Sequence, residues 1–443
     1  MAYSSKGGRP FEYASKAAHG HIINDPLVRQ FLENSELPKR AEEVSLSDHE
    51  LLPYEPFLSN PIQHVIAIDG GYDEVVVQSD FPSSTVCFFQ FGALIFSVED
   101  LDALEEQPFI DPDDMSKLKR IQRLKLVLPI RNVSLKAEST LTDSVRRAMY
   151  DFFRRKMDDG RLIDTLRWFI FQDYGSKVAE WTLASCPVCA ASNIPLRRSE
   201  MTSAHTFTCN QCGGEIFLTD VLRLHEAVDD ELGAGGILGY VTTAVEQLIL
   251  VHLIRLILNQ KPSLLGHFLF IKDGPLAFFG QTANLYRPMR ELVRYLLEYH
   301  TLYLAGLEKS GAFVEHADEI KDKLEYGSVL IADNGYIYRY ILPGKADPIN
   351  PYGRTTYYSN KLIFKTLEGQ VYVVSVPTPE VLTAPKEADL PNLSAILTNL
   401  EKLRCDMYDN ALVPVALANK LVSLANHPSS RILQKFAVET IGH

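Results

Sequence analysis

Two apolar runs finish in the same way: Val65 to Ile68 closes on Asp69 and two glycines in "PIQHVIAIDGGYDE", and "HFLFIKDGPLAFFG" closes on Asp273 and Gly274. An ionised carboxylate entering an apolar interior is costly unless it is paired, protonated or bound to a metal. Either Asp-Gly alone reads as a hairpin turn. Their repetition favours a site, because ligands gather at the carboxyl ends of the central strands of an α/β sheet, where two such aspartates converge. Facing carboxylates repel unless a divalent cation holds them, and hard oxygen ligands suit magnesium or manganese. A third acid, Glu246, is the only one in the apolar helical run "GYVTTAVEQLILVHLIRLILNQ"; the alternative for such a lone glutamate is a satisfied surface residue. Asp69, Glu246 and Asp273 have the composition of a two-metal phosphodiesterase centre, in which cations about 4 Å apart activate a water and stabilise the leaving oxygen. The chemistry expected is nucleic-acid hydrolysis.

A second group of ligand residues is sulfur-based. Four of the six cysteines form "CPVC" (Cys186, Cys189) and "CNQC" (Cys209, Cys212), with nineteen residues between the pairs. Two such knuckles place four thiolates tetrahedrally around one zinc in a ribbon hairpin, and Gly213 and Gly214 follow the second as a tight turn requires. A disulfide is the competing reading, disfavoured where thiols are kept reduced. Four sulfurs leave no open coordination position, so the zinc is expected to be structural. Cys87 and Cys405 lie in apolar runs and read as packing residues.

These residues need elements to carry them. The chain has 443 residues, enough for a sizeable core, and a formal net charge of −12, which argues against a surface that coats nucleic acid while leaving room for a local basic channel. Basic residues cluster over Lys117 to Lys125, at Arg146 and Arg147, over Arg154 to Lys156, and at Arg287, Arg290 and Arg294; each also reads as a solvated helix face. No membrane-spanning helix is expected, since the most apolar segment carries His252 and Arg255, and the N-terminal stretch lacks a secretory apolar core, so a cytoplasmic, reducing location is expected. From Val65 the pattern is strand-like: Val65 to Ile68, "EVVVQ", "STVCFFQFGALIFSV" and, after the acidic loop "EDLDALEEQPFIDPDD", "RLKLVLPI". Helical patterns follow, "TLTDSVRRAMYDFFRRKM" with Thr142 as its cap and "GRLIDTLRWFIFQDYGSKVAEWTL". Beyond the cysteines come a long apolar helix, the strand ending on Asp273, another helix, the strand patterns "GSVLIAD", "GYIYRYIL", "NKLIFKTL" and "QVYVVSVP", and two C-terminal helices.

In order and spacing these motifs resemble the NurA nucleases. The resemblance is carried by "IAIDGGYDEV", the helix containing Glu246, "FIKDGPLA", "AGLEKSGA" with Lys309 and Ser310, "VLIADNGYIYRYIL" and "LVPVALANKLVSLA", over about residues 60 to 425; "ASKAAHGHIINDPLVRQFL" looks like the start of bacterial members. It implies an α/β fold with an RNase H-like core, a central mixed sheet, flanking helices and an inserted four-cysteine zinc ribbon. The divisions would be an arm over 1–60, the first half of the core over 61–180, the ribbon over 181–220, and the second half with C-terminal helices over 221–443. It also implies a manganese- or magnesium-dependent deoxyribonuclease acting on DNA ends, in repair or antiphage defence, as a homodimer on a HerA-type hexameric ATPase translocase. Asp69, Glu246 and Asp273 would be the metal ligands, Lys309 a point charge on the scissile phosphate, and Tyr357 or Tyr358 the family's later tyrosine. One departure is Asn419, where members commonly have histidine: asparagine offers a carbonyl oxygen or a hydrogen bond but is no acid or base, so catalysis would be weaker, or His427 would serve instead. The acidic surface suits DNA delivered through a partner's channel. Two other readings remain open, a catalytically inactive adaptor or DNA-binding subunit whose working part is the ribbon, and an RNA-directed hydrolase.

Overall fold

The computed structural model describes residues 16–46, 49, 51–80, 82–99, 119–120, 123–405, 411–424 and 429–441. Strands β1 (Leu51–Pro53), β2 (His64–Gln78), β3 (Ser84–Ser97), β4 (Lys119–Arg120) and β5 (Leu124–Arg131) come first, the long β2 and β3 forming where β-branched and aromatic residues are dense. Two short hairpins, β6 (Glu180–Ser185) with β7 (Ser192–Arg197) and β8 (Thr206–Thr208) with β9 (Glu215–Phe217), make the cysteine ribbon. β10 (Phe268–Asp273), β11 (Tyr303–Glu308), β12 (Ser328–Ile331), β13 (Ser359–Lys365) and β14 (Val371–Pro377) complete a ten-stranded sheet of order β1-β12-β13-β14-β11-β10-β2-β3-β4, with β5 also on β3.

At its centre β5, β3 and β2 run antiparallel, and β10 and β11 continue on the other side of β2, parallel to it. That is the strand arrangement of an RNase H-like core. Parallel neighbours require crossovers, and helices supply them. The helices are α1 (Lys16–Ile23), α2 (Pro26–Glu33), α3 (Leu141–Arg154), α4 (Leu162–Ile170), α5 (Leu238–Gln260), α6 (Tyr286–Tyr299), α7 (Ala312–Ile320), α8 (Leu393–Lys402), α9 (Val413–Val422) and α10 (Ser429–Ile441). Strand alternation splits the core. Ile66, Ile68 and Phe270 face α3 to α6 and the ribbon, whereas Val65, Ala67, Leu269 and Ile271 face α8 and α9.

Several sequence expectations change. Val65 to Ile68 and "EVVVQ" are one fifteen-residue strand, and Asp69 lies inside it. Gly70 and Gly71 make no turn there; they admit close neighbours. A Cβ on Gly70 would stand 2.7 Å from the Phe91 ring and 3.0 Å from Glu246 Oε1, and one on Gly71 would stand 2.9 Å from the Val422 carbonyl oxygen. Gly70→Ala is therefore expected to lower stability by about 1–3 kcal/mol in chemical denaturation, as overpacking does; an unchanged midpoint would mean that the strand has room to spare. Asp273 does end its strand, with Gly274 at φ +87°.

"GYIYRYIL" is helical: Asn334–Tyr336 is a turn capped by Asp333, which accepts from the Tyr336 N–H at 2.6 Å, and Ile337–Ile341 continues it as a π-turn. Alternating aromatics fit both periods, and Tyr336 and Tyr340, four apart, pack together with ring centroids 5.1 Å apart. Thr140, not Thr142, caps α3, accepting from the Asp143 N–H; Thr142 instead donates to Asp230. The arm contributes β1, antiparallel to β12 at the sheet edge, and α10 adds a third C-terminal helix. Most of the acidic loop, from residue 100 on, and His427 lie outside the described residues. The segment Gly235–Gln260 is long and apolar enough to cross a membrane by length and composition, contrary to the sequence expectation; 67% of its apolar window is buried inside the protein, as in a core helix.

Candidate active site

The register sets the site. Ile68 is the last β2 residue paired with β10, opposite Lys272, and Asp273 pairs with Leu307 on β11. Asp69, Asp273 and Glu308 therefore emerge together where the parallel pairing of three neighbouring strands runs out. From one side α5 presents Thr243 and, one turn later, Glu246; from the other α9 presents Asn419; Lys309 and Ser310 follow β11. Asp69, Glu246, Asp273, Lys309 and Asn419 all line one cavity of about 390 Å³, together with Lys272 and Glu308. The first four come from four different elements or their ends, so the convergence belongs to the fold. Asn419 sits exposed at the rim.

Each of three carboxylates is matched to a lysine. Lys272 Nζ lies 2.9 Å from Glu246 Oε2 and also donates to the Asp273 backbone carbonyl. Lys309 Nζ lies 2.8 Å from Asp273 Oδ2, and Lys361 Nζ 2.5 Å from Glu308 Oε1. Asp69 is the exception: Oδ1 accepts from the Gly70 N–H at 2.8 Å, while Oδ2 is buried with no hydrogen-bond partner among the described residues. Burial, then the charges of Asp273 and Glu246, push the Asp69 carboxyl up to about 8, against the pull of Lys309 and the Gly70 N–H. Burial likewise raises the Glu246 carboxyl, with Lys272 acting the other way.

Sequence reasoning assigned the compensation of these acids to a divalent cation. Here Lys272 and Lys309 supply it for two of the three. Among the described residues the only group of ligand atoms lying within 4.8 Å of one another is the four cysteines, so the acids share a cavity without closing on one point. An all-oxygen donor set around an orphaned carboxylate oxygen nonetheless fits a hard divalent cation.

A stability consequence follows. The Asp69 carboxyl ionises near 3.8 in the unfolded chain but holds its proton to about 8 when folded. Its contribution is thus fully present below pH 3.8 and is lost as pH rises through about 8. Without metal, Asp69→Asn is expected to be more heat-stable than the parent, by about 4 kcal/mol near pH 7, with the gap widening between pH 4 and 8. Thermal scans at several pH values check this; a pH-independent difference would contradict the raised carboxyl.

Neither expected tyrosine lines the cavity. Tyr358 is fully buried and donates to Gln247 Oε1 at 2.5 Å, bracing the residue beside Glu246. Tyr357 stacks beside Lys361, with Nζ 4.9 Å from its ring centroid, in a separate small pocket. Sequence reasoning missed Lys272 and Glu308. A signal existed: a lysine inside the apolar run "FLFIKD" must find a partner, since lysine is almost never fully buried unpaired.

The cysteine knuckles sit at the β6–β7 and β8–β9 turns, where Ala190 and Gly213 take positive φ (57° and 74°). The N–H groups of Val188, Gln211 and Gly214 point at Cys186, Cys209 and Cys212 Sγ at 3.4, 3.4 and 3.3 Å. Burial opposes the Cys209 thiolate, but the Gln211 and Cys212 N–H groups and the thiols of Cys186 and Cys212 bring it down to about 7. Such donors and four adjacent sulfurs suit a thiophilic ion. The ribbon is packed into the fold: Phe217 stacks on Tyr150 of α3 at 4.3 Å, and Arg146 Nη2 lies 2.8 Å from Asp220 Oδ2. Arg146 and Arg290 are thus structural, the latter donating to the Tyr357 carbonyl at 2.9 Å.

No family model and no curated protein matches the chain. Among solved structures it is similar to the NurA nuclease from Sulfolobus solfataricus, with 9% identity over 97% of both chains and a TM-score of 0.35. It is also similar to a NurA structure with 10% identity, covering 97% of this chain and 99% of that one at a TM-score of 0.29, and to NurA with manganese, with 12% identity, covering 95% and 96% at 0.28. Likeness at this level assigns no function, and the side chains of the cavity must carry it.

Proposed function

We propose that the cavity is the active centre of a metal-dependent deoxyribonuclease. The observation that carries this is the meeting of Asp69, Asp273 and Glu308 from three neighbouring strands with Glu246 of α5, Asp69 Oδ2 being buried and without a hydrogen-bond partner among the described residues. Asp69, Asp273 and Glu246 would hold manganese or magnesium, which when bound supplies a Lewis acid and a water acidified for attack on phosphorus. Lys272 keeps Glu246 oriented. Lys309, partly exposed, leaves Asp273 and meets the scissile phosphate as a point charge. Asn419 at the rim steers the phosphodiester by hydrogen bonding and moves no proton. The choice of DNA, a HerA-type ATPase partner, a homodimer, a cytoplasmic setting and a role in DNA ends, repair or phage defence all rest on the motif resemblance, and the cysteine ribbon would carry structural zinc.

A second reading, a catalytically silent DNA-binding subunit, is favoured by one observation: Lys272 and Lys309 neutralise two of the acids without any ion. The test is cleavage of linear DNA by the purified chain with manganese or with chelator, alone and with a HerA-type ATPase. Manganese-dependent cleavage supports the nuclease; retained DNA binding without cleavage under every condition supports the silent subunit.

A further inference from the structure

We propose that Lys272 takes the place of one of the two cations, so that the centre accepts a single divalent ion. This rests on the reading of the cavity as a metal centre, and it replaces the paired-cation expectation drawn from sequence. Once Asp69 gives up its proton to a bound ion, Asp69, Glu246, Asp273 and Glu308 are opposed by Lys272, Lys309 and Lys361, which leaves one net negative charge among the side chains. One divalent ion then turns the centre modestly positive, matched to a single phosphodiester. Two would leave it strongly positive, a state this lysine complement resists.

The lysines differ in how firmly they are held. Lys309 has 28% of its side chain exposed and sits at a strand end, so it can yield Asp273 to an ion. Lys272 is 3% exposed, and its backbone is fixed on both sides, opposite Ile68 on β2 and Gly306 on β11. Its Nζ bridges the Glu246 carboxylate and the Asp273 carbonyl, two oxygens a second cation would need. Admitting that cation would strand a buried ammonium with no partner, the costliest arrangement for such a pair. The single ion therefore belongs with Asp69, Asp273 and the Glu246 carboxylate oxygen that Lys272 leaves free.

The measurement is a count of bound manganese on the full, zinc-loaded chain, by titration with electron paramagnetic resonance of the free ion. The parent is expected to bind one manganese per chain and Lys272→Met two. Lys272→Gln, which keeps a donor for the Asp273 carbonyl but carries no charge, makes the same count should the methionine variant fail to fold, and is also expected to bind two. Two manganese ions in the parent, or one or none in the folded variants, overturn the inference while leaving the metal centre standing. No manganese in the parent overturns the metal centre itself.

Discussion

Replacing Asp69 with alanine is expected to lower manganese-dependent cleavage of linear DNA by about a thousandfold or more, the scale on which enzymes lose rate when a group stabilising developing charge is removed. Among the described residues Asp69 is the one cavity carboxylate without a paired lysine, and its Oδ2 has no hydrogen-bond partner there, so it is the acid whose burial an ion or a proton would offset. DNA binding should change little, because Lys309 and Asn419 remain at the cavity. Equal cleavage by parent and variant would mean that the cavity is not where the phosphodiester is cut.

The second large effect concerns the ribbon. Cys209→Ser is expected to strip the metal and lower global stability by about 4 kcal/mol or more, since binding free energy in a four-sulfur zinc site is folding free energy. The reason lies in packing: Cys209, Ile216 and Phe217 belong to the same buried apolar cluster as Tyr150 and Phe153 of α3. Loosening the β8–β9 turn therefore exposes the flank of the main core, not an isolated appendage. Zinc content and urea denaturation of the parent and variant test this. A parent that carries no metal, with a midpoint matched by the variant, would remove the structural role.

The cysteine spacing was legible because thiolate ligands are chemically distinctive and the two knuckles are local. The two aspartates were legible because a carboxylate closing an apolar run is an energetic anomaly wherever it falls. Asp69 was placed at a strand end because "DGG" imitates a turn; only tertiary contacts, Phe91 and Glu246 against Gly70 and Val422 against Gly71, show that the glycines are there to be approached. "GYIYRYIL" misled because its alternating aromatics satisfy both periods until His316 and Tyr340 are seen around Tyr336. Lys272 and Glu308 were passed over because each lies in an apolar motif and its partner is remote in sequence, Lys361 being 53 residues from Glu308. Asn419 entered only through family resemblance; nothing in "ALANKLV" itself marks it.

The most direct test is a crystal soaked in manganese and measured at an anomalous-scattering wavelength. A peak within coordination distance of Asp69 Oδ2 and an Asp273 carboxylate oxygen, with Lys309 drawn off Asp273, is the expected result. Strong density at the cysteine ribbon with none at Asp69 would contradict the account.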